Sequence, residues 1–240
     1  MPHFLIQKEE INNNEIKLIN KDNLFHIIKV RRAKINENIK FIDENYIIYN
    51  CIIKEITKTY LKAQIISKQK SQRFLKYDLC LIQSILAPDA QNLLIANATQ
   101  TGVKTIYPVI SDNVSNKKNI DKIIKWQKIA CENFKQCERA DIPEIKEIAN
   151  LKDVLKEFSK ENIIIFAEKN ENIKFDNILK NINKNDKIAI VIGPEGGFSE
   201  NEFNYFKENN FNLVSLGSMI YKAPNAVVAG ISNVISRLEC

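Results

Sequence analysis

From Phe4 to Ser67 the apolar residues come in short runs of strand length: Phe4-Leu5-Ile6, Ile16 with Leu18-Ile19, Ile39 with Phe41-Ile42, Tyr46-Ile47-Ile48-Tyr49, Ile52-Ile53, and Leu61, Ala63 and Ile65. Such runs predict five or six strands of a small β-barrel. One helix-like piece, Leu24 to Val30, interrupts them and runs into Arg31-Arg32-Ala33-Lys34, which sets three cations beside an apolar face. The polar stretch Lys68 to Arg73 lacks apolar periodicity and reads as a linker, so the chain divides into residues 1–70 and 74–240.

Beyond the linker the pattern changes. A strand-like run, Leu79 to Ile85, precedes a helical stretch from Ala90 to Thr101 that Gly102 can terminate in the left-handed conformation. A strand over Thr105 to Ile110 and a long helix from 119 to 137 follow, then a helix from Leu151 to Glu161 and strands Ile163 to Ala167 and Ile188 to Ile192. A helix from Glu200 to Asn209, a strand from Leu213 to Leu216 and a last helix from about Asn225 to Leu238 end the pattern. Near-continuous apolar strands alternating with helices predict a parallel sheet covered on both faces, an α/β arrangement in which ligands bind beyond the carboxyl ends of the strands.

Charge changes the picture of the first region. The chain carries a formal +6, and residues 1–75 hold 14 Lys+Arg against 8 Asp+Glu, so all of the excess lies there. This asymmetry fits a polyanion-binding surface or simply a soluble basic face. Five scattered cysteines with no C-x-x-C pair, and only His3 and His26 to assist them, argue against zinc. Odd, unpaired thiols fit a reducing cytoplasm, and no apolar run is long enough to span a bilayer, so no metal and no membrane are expected.

Candidate chemistry concentrates near the C-terminus. Ile190-Val191-Ile192 runs into Gly193-Pro194-Glu195-Gly196-Gly197-Phe198-Ser199, and Ser199 with Glu202 forms an S-x-x-E capping box for the next helix. Three of the six glycines fall within five residues here, where missing side chains would let a ligand reach backbone amides. Neither a G-x-G-x-x-G fingerprint nor a G-x-x-x-x-G-K-[ST] loop can be written through them. A second loop, Leu216-Gly217-Ser218-Met219-Ile220-Tyr221-Lys222-Ala223-Pro224-Asn225-Ala226, also leaves a strand and enters a helix, so both loops are expected on one edge of the sheet.

The run Val191 to Glu202, followed closely by a Leu-Gly loop, resembles the ribosomal RNA small-subunit methyltransferase E family of the SPOUT superfamily. Weaker similarity covers most of the chain: His26 to Lys34 looks like the family's basic helix, Ala96 to Val103 like its Ala-x-Glu-Leu-Gly-Val helix end, and Gln136-Cys137 with Ile142-Pro143-Glu144 like its Glu-Gln-Cys/Ser-Gly to Ile-Pro-Glu segment. The resemblance implies an N-terminal PUA-like RNA-binding β-barrel and a C-terminal SPOUT α/β domain with a parallel sheet and a deep trefoil knot. It further implies transfer of a methyl group from S-adenosylmethionine to N3 of a uridine in 16S ribosomal RNA or the small subunit, by a cytoplasmic homodimer. A catalytically diverged member that binds RNA or the ribosome without methylating it is the alternative.

By the same resemblance, Ile192, Gly193, Pro194, Gly196, Gly197, Leu216, Gly217, Ser218, Ile220 and Ala226 would hold the cofactor. Glu195, Lys222 and Asn225 would serve catalysis, and Arg31, Arg32 and Lys34 would contact RNA. Where the family usually reads Leu-Gly-x-Arg-Ile-Leu-Arg-x-Glu/Asp-Thr-Ala, this chain has Met219 for the first Arg, Tyr221 for Leu, Lys222 for the second Arg, Pro224 for the acid and Asn225 for Thr.

Overall fold

A computed structural model of the chain describes residues 3–114, 122–167 and 175–239. It separates into one unit of Met1–Phe74 with Phe134–Asp141 and a second of Leu75–Asn133 with Ile142–Cys240.

In the first unit, β1 (His3–Leu5), β2 (Ile11–Asn12), β3 (Glu15–Leu18), β4 (Asn38–Ile42), β5 (Ile47–Ile56) and β6 (Leu61–Lys70) form one sheet in the order β1-β4-β5-β6-β3-β2. Period-2 alternation sends Ile39 and Phe41, then Tyr49, Cys51 and Ile53, then Leu61, Ala63 and Ile65 into a single core with Phe4, Ile16 and Leu18. The two apolar runs expected as separate strands, 46–49 and 52–53, are one strand. Register shifts against β6 fall between Asn50 and Cys51, where Ile66 of β6 is the extra residue, and between Ile53 and Glu55, where Lys54 is, and such bulges add the twist that curls the sheet around its core. The first half of the expected linker, Lys68 to Lys70, is the end of β6, paired with Ile47 to Tyr49. Its side chains are exposed, so no apolar period marked it.

Between β3 and β4 lies α1 (Lys21–Phe25), capped by the Asn20 side chain accepting from the Asn23 amide, and it continues into a wider π-type turn over His26–Val30. Leu24 and Ile27 face the core.

In the second unit, β7 (Leu79–Ser84), β8 (Thr105–Ile110), β9 (Glu144–Ile145), β10 (Ala149–Asn150), β11 (Ile163–Phe166), β12 (Ile188–Ile192) and β13 (Asn212–Val214) form a wholly parallel sheet. Its order is β10-β8-β7-β12-β11-β13, with β9 beside β8. The helices are α2 (Pro88–Gln100), α3 (Ile123–Cys137, of which the residues from Phe134 on belong to the first unit), α4 (Leu151–Leu155), α5 (Phe175–Leu179), α6 (Glu200–Glu208) and α7 (Ala223–Leu238).

Alternate strand residues enter two cores. Leu79, Leu81, Ile164, Phe166, Ile188, Ile190 and Ile192 pack with α2, α3, α5 and α7, while Cys80, Ile82, Ile163, Ile165, Ala189 and Val191 pack with α4 and α6. Burial on both faces accounts for the near-continuous apolar strands. Gly102, at φ +94°, ends α2 as expected. The expected start of α3, 119–121, lies outside the described residues. The helix expected over Leu151 to Glu161 stops at Leu155, because hydrogen bonding tightens to three-residue turns, Glu157 N to Val154 O and Phe158 N to Leu155 O, while Phe158 stays buried.

Candidate active site

The strand order fixes where a ligand can sit. β7 and β12 are neighbours, yet β7 sends its following helix, α2, to one face, and β12 sends α6 to the other. Divergent helices at adjacent strands open a crevice beyond the carboxyl ends, and the Gly193 loop leaves β12 at that point. Phe166 of β11 stands opposite both Ile192 and Val214, so β12 and β13 end at the same level on either side of it. The two loops thus emerge on one sheet edge, about 10 Å apart across one intervening strand.

The first loop is held from several directions. Gly193 O accepts from Gln83 Nε2 at 3.3 Å, and the same amide donates to Ser84 O at 2.6 Å. The Gly197 amide donates to Pro194 O at 2.9 Å, closing a tight turn, and Asn113 Nδ2 donates to Gly197 O at 3.0 Å. The capping box is present in full: the Glu202 amide donates to Ser199 Oγ at 3.1 Å, and the Ser199 amide to Glu202 Oε2 at 2.8 Å. The other oxygen of the buried Glu202 accepts from the Asp112 amide at 3.0 Å, and Ser199 Oγ donates to Asp112 Oδ2 at 2.5 Å.

Two glycines of this loop serve different ends. A Cβ on Gly193 would lie 3.1 Å from the Phe198 ring, a tight contact that the ring would have to relieve by a few tenths of an ångström. Gly197 takes φ +70°, and a Cβ there would meet nothing within 4 Å, so its backbone faces open space.

The second loop is tied more loosely. Ser215 Oγ accepts from the Gly217 amide and donates to Gly217 O, both at 3.1 Å. Gly217 has φ +104° and open space where a Cβ would be. Leu216 packs on the core beside α7, whereas Gly217 and Ser218 are exposed, and Met219 and Ile220 keep 68% and 80% of their surface in solvent. The loop ends where Pro224 enters the first turn of α7, a place that tolerates its missing N–H. Asn97 Nδ2 donates to Pro224 O at 3.0 Å, fastening this end to α2.

Of the residues expected to hold a cofactor, Ile192, Pro194 and Ala226 are buried supports, and Gly193, Gly196, Gly197, Leu216, Gly217 and Ser218 form the two loop edges. Ile220 is exposed. Glu195, Lys222 and Asn225 are exposed, and among the described residues their side chains make no hydrogen bond or ion pair, leaving all three available. Open backbone at Gly197 and Gly217, beyond the ends of two strands that flank β11, fits a small cofactor bound through main-chain groups.

In the first unit Arg32, at φ +54°, and Lys34 are exposed. Arg31 is half-buried, and its Nη2 donates to Asn38 O at 2.7 Å, so its guanidinium braces the helix end against β4.

Sequence reasoning missed Gln83, Asp112 and Asn113, which position the first loop from the ends of β7 and β8. Position just past the carboxyl end of a parallel strand was the available signal. At the same ends Gln83 Oε1, Ser84 Oγ and Ser111 Oγ are buried without a hydrogen-bond partner among the described residues. Thiol chemistry is disfavoured here: burial pushes Cys80 up to about 11, and in the first unit Cys51 up to about 12. Among the described residues no group of three His, Cys, Asp or Glu converges as a metal site, and no helix is long and apolar enough to cross a membrane.

Comparison with known proteins agrees with this geometry. Residues 73–235 match the model of an RNA methyltransferase domain, and residues 19–66 that of an RNA methyltransferase PUA domain. Ribosomal RNA small subunit methyltransferase E of Aquifex aeolicus is 31% identical, the match covering 85% of this chain and 87% of that protein. Its namesake in Rickettsia conorii is 29% identical over 92% of this chain and 90% of its own length. The crystal structure of ribosomal RNA small subunit methyltransferase E from Neisseria gonorrhoeae, bound to S-adenosyl methionine, superimposes with a TM-score of 0.84 at 25% identity, covering 98% of this chain and 97% of that one.

Proposed function

The chain belongs to the ribosomal RNA small subunit methyltransferase E family, and we propose that it methylates N3 of a uridine in 16S RNA of the small ribosomal subunit, using S-adenosylmethionine. The observation that carries this reading is the pair of glycine loops leaving β12 and β13 on one sheet edge, with backbone open at Gly197 and Gly217. S-adenosylmethionine, when bound, supplies a methyl group on a sulfonium, whose departure as a neutral thioether needs no acid.

The protein's task is therefore to position the two partners and to manage one proton. Main-chain groups of Gly193 to Gly197 and Leu216 to Ser218 hold the cofactor. The uridine N3–H is a weak acid and loses its proton before the nitrogen can attack. Glu195, exposed on the first loop, accepts that proton, and Lys222 stabilises the resulting anion. Asn225, exposed in the first turn of α7, donates to a carbonyl of the base. The excess positive charge of residues 1–75 supplies phosphate affinity, with Arg32 and Lys34 exposed and Arg31 contributing field from its braced position.

The enzyme acts in the cytoplasm, where its ribosomal substrate is found, and it acts as a homodimer, a reading supported by the exposed apolar residues Met219, Ile220, Val228 and Leu93. The segment after β13 is the knotted part of the fold, a path supported by the return of α7 to pack on α2 and β12.

The test incubates purified protein and labelled methyl donor with unmodified small subunits and, separately, with deproteinised 16S RNA, then seeks N3-methyluridine by mass spectrometry of nuclease digests. Incorporation at one uridine in either substrate is expected. Cofactor binding without incorporation into either would instead identify a diverged RNA-binding member.

A further inference from the structure

The outward face of α1 is unusual for a helix whose inward face is already packed. Leu24 and Ile27 fill the core, 4% and 0% exposed, yet Phe25 on the other side keeps 63% of its surface in solvent and Val30 keeps 60%. Lys21 and Lys29, both exposed, stand four residues before and after Phe25. Lys21 lies one α-helical turn before Phe25, and Lys29 follows it across the π-type turn. The π-type turn, in which the Arg31 amide reaches back to His26 O at 2.9 Å, inserts a residue that brings Val30 out next to Lys29. Asp22 is the one acid of α1, and it occupies the first turn, where it complements the helix dipole.

We infer that this face, built from Lys21, Phe25, Lys29 and Val30 with Arg32 just beyond, is a stacking platform for an unpaired base of the RNA, flanked by phosphate contacts. The inference rests on RNA being the substrate and specifies its local form. Charge selects the occupant: an apolar protein surface would leave Lys21, Lys29 and Arg32 without counter-charges, whereas a single strand brings a phosphate with every base. An aromatic ring standing free between two cations matches that alternation. A duplex keeps its bases stacked and offers the ring no π-face.

The test uses the full-length protein and a mixed-sequence single-stranded RNA of a dozen nucleotides, with a duplex of equal length as control. Phe25→Ala should weaken single-strand binding roughly tenfold with the salt slope unchanged, and Phe25→Trp should restore it. Lys29→Gln should lower the salt slope by about 0.7. Duplex binding should not respond to Phe25→Ala. Since Phe25 is exposed, thermal unfolding should be unchanged and the loss cannot be ascribed to misfolding. Unchanged single-strand affinity in Phe25→Ala overturns the inference, as does an equal loss on duplex. A change in sedimentation with RNA affinity intact would mark the face as an interface between copies and also overturn it. Methylation measured in parallel separates the two readings: an active enzyme with Phe25-independent binding refutes the platform alone.

Discussion

The two loops at the sheet edge begin alike, each leaving a parallel strand and entering a helix through glycine, but they are held differently. In the first, a buried carboxylate, a strand-end glutamine and the Asp112-Asn113 pair converge on Gly193 to Ser199. In the second, one serine hydroxyl folds back on Gly217, and the next two side chains after Ser218 stand in solvent. The first loop is preorganised by the fold, so a ligand there meets backbone whose ordering cost was met on folding. Beyond Leu216 and that serine turn, the second is fixed where it joins α7, through Asn97 and the close seat of that helix on β11. The family pattern is kept along the anchored first loop and departs in the second, at exposed Met219, Tyr221, Lys222 and Asn225 and also at Pro224, which is buried and held by Asn97.

The largest test of this contrast is Glu202→Ala. It removes a buried acceptor of two backbone amides and should cost about 3 kcal/mol in urea unfolding while weakening cofactor affinity at least tenfold by calorimetry. Retained affinity would show that the anchors do not set the loop. Gly230→Ala tests the seat of α7: a new Cβ would lie 2.7 Å from the Phe166 ring, and a loss of about 2 kcal/mol is expected. A neutral result would mean that α7 is free to shift and the second loop with it. Asn113→Ala deletes the bond to Gly197 O and should cost about 1 kcal/mol, with a cofactor dissociation constant roughly fivefold higher. Met219→Arg, at a position 68% exposed, should change stability by less than about 0.5 kcal/mol and leave cofactor binding alone, while tightening RNA binding. Any large stability change there would contradict the description of the second loop as weakly anchored.

Local patterns carried most of the architecture. Alternation placed the curled sheet, continuous apolar runs placed the parallel one, and the Ser199-Glu202 spacing announced a capping box that is present atom for atom. Elements without a periodic signature were not legible: the two-residue strands β2, β9 and β10 and the five-residue α5 are too short to show a period, and Lys68 to Lys70 extend a strand with exposed side chains. Apolar period also survived where the helix did not, since Phe158 stays buried in a tightened turn.

What the sequence determined by itself was chemistry that acts between near neighbours: strand and helix periods, the glycine turn, the cap, and the charge excess of the first region. What only the tertiary structure decided was which distant residues share a site. Gln83 meets Gly193 across 110 positions, Asp112 and Asn113 reach Ser199 and Gly197, and Arg31 turns its guanidinium to Asn38. The reason is physical: a hydrogen bond to a loop carbonyl depends on strand order and register, and these follow from how whole sheets and helices pack, not from any spacing along the chain.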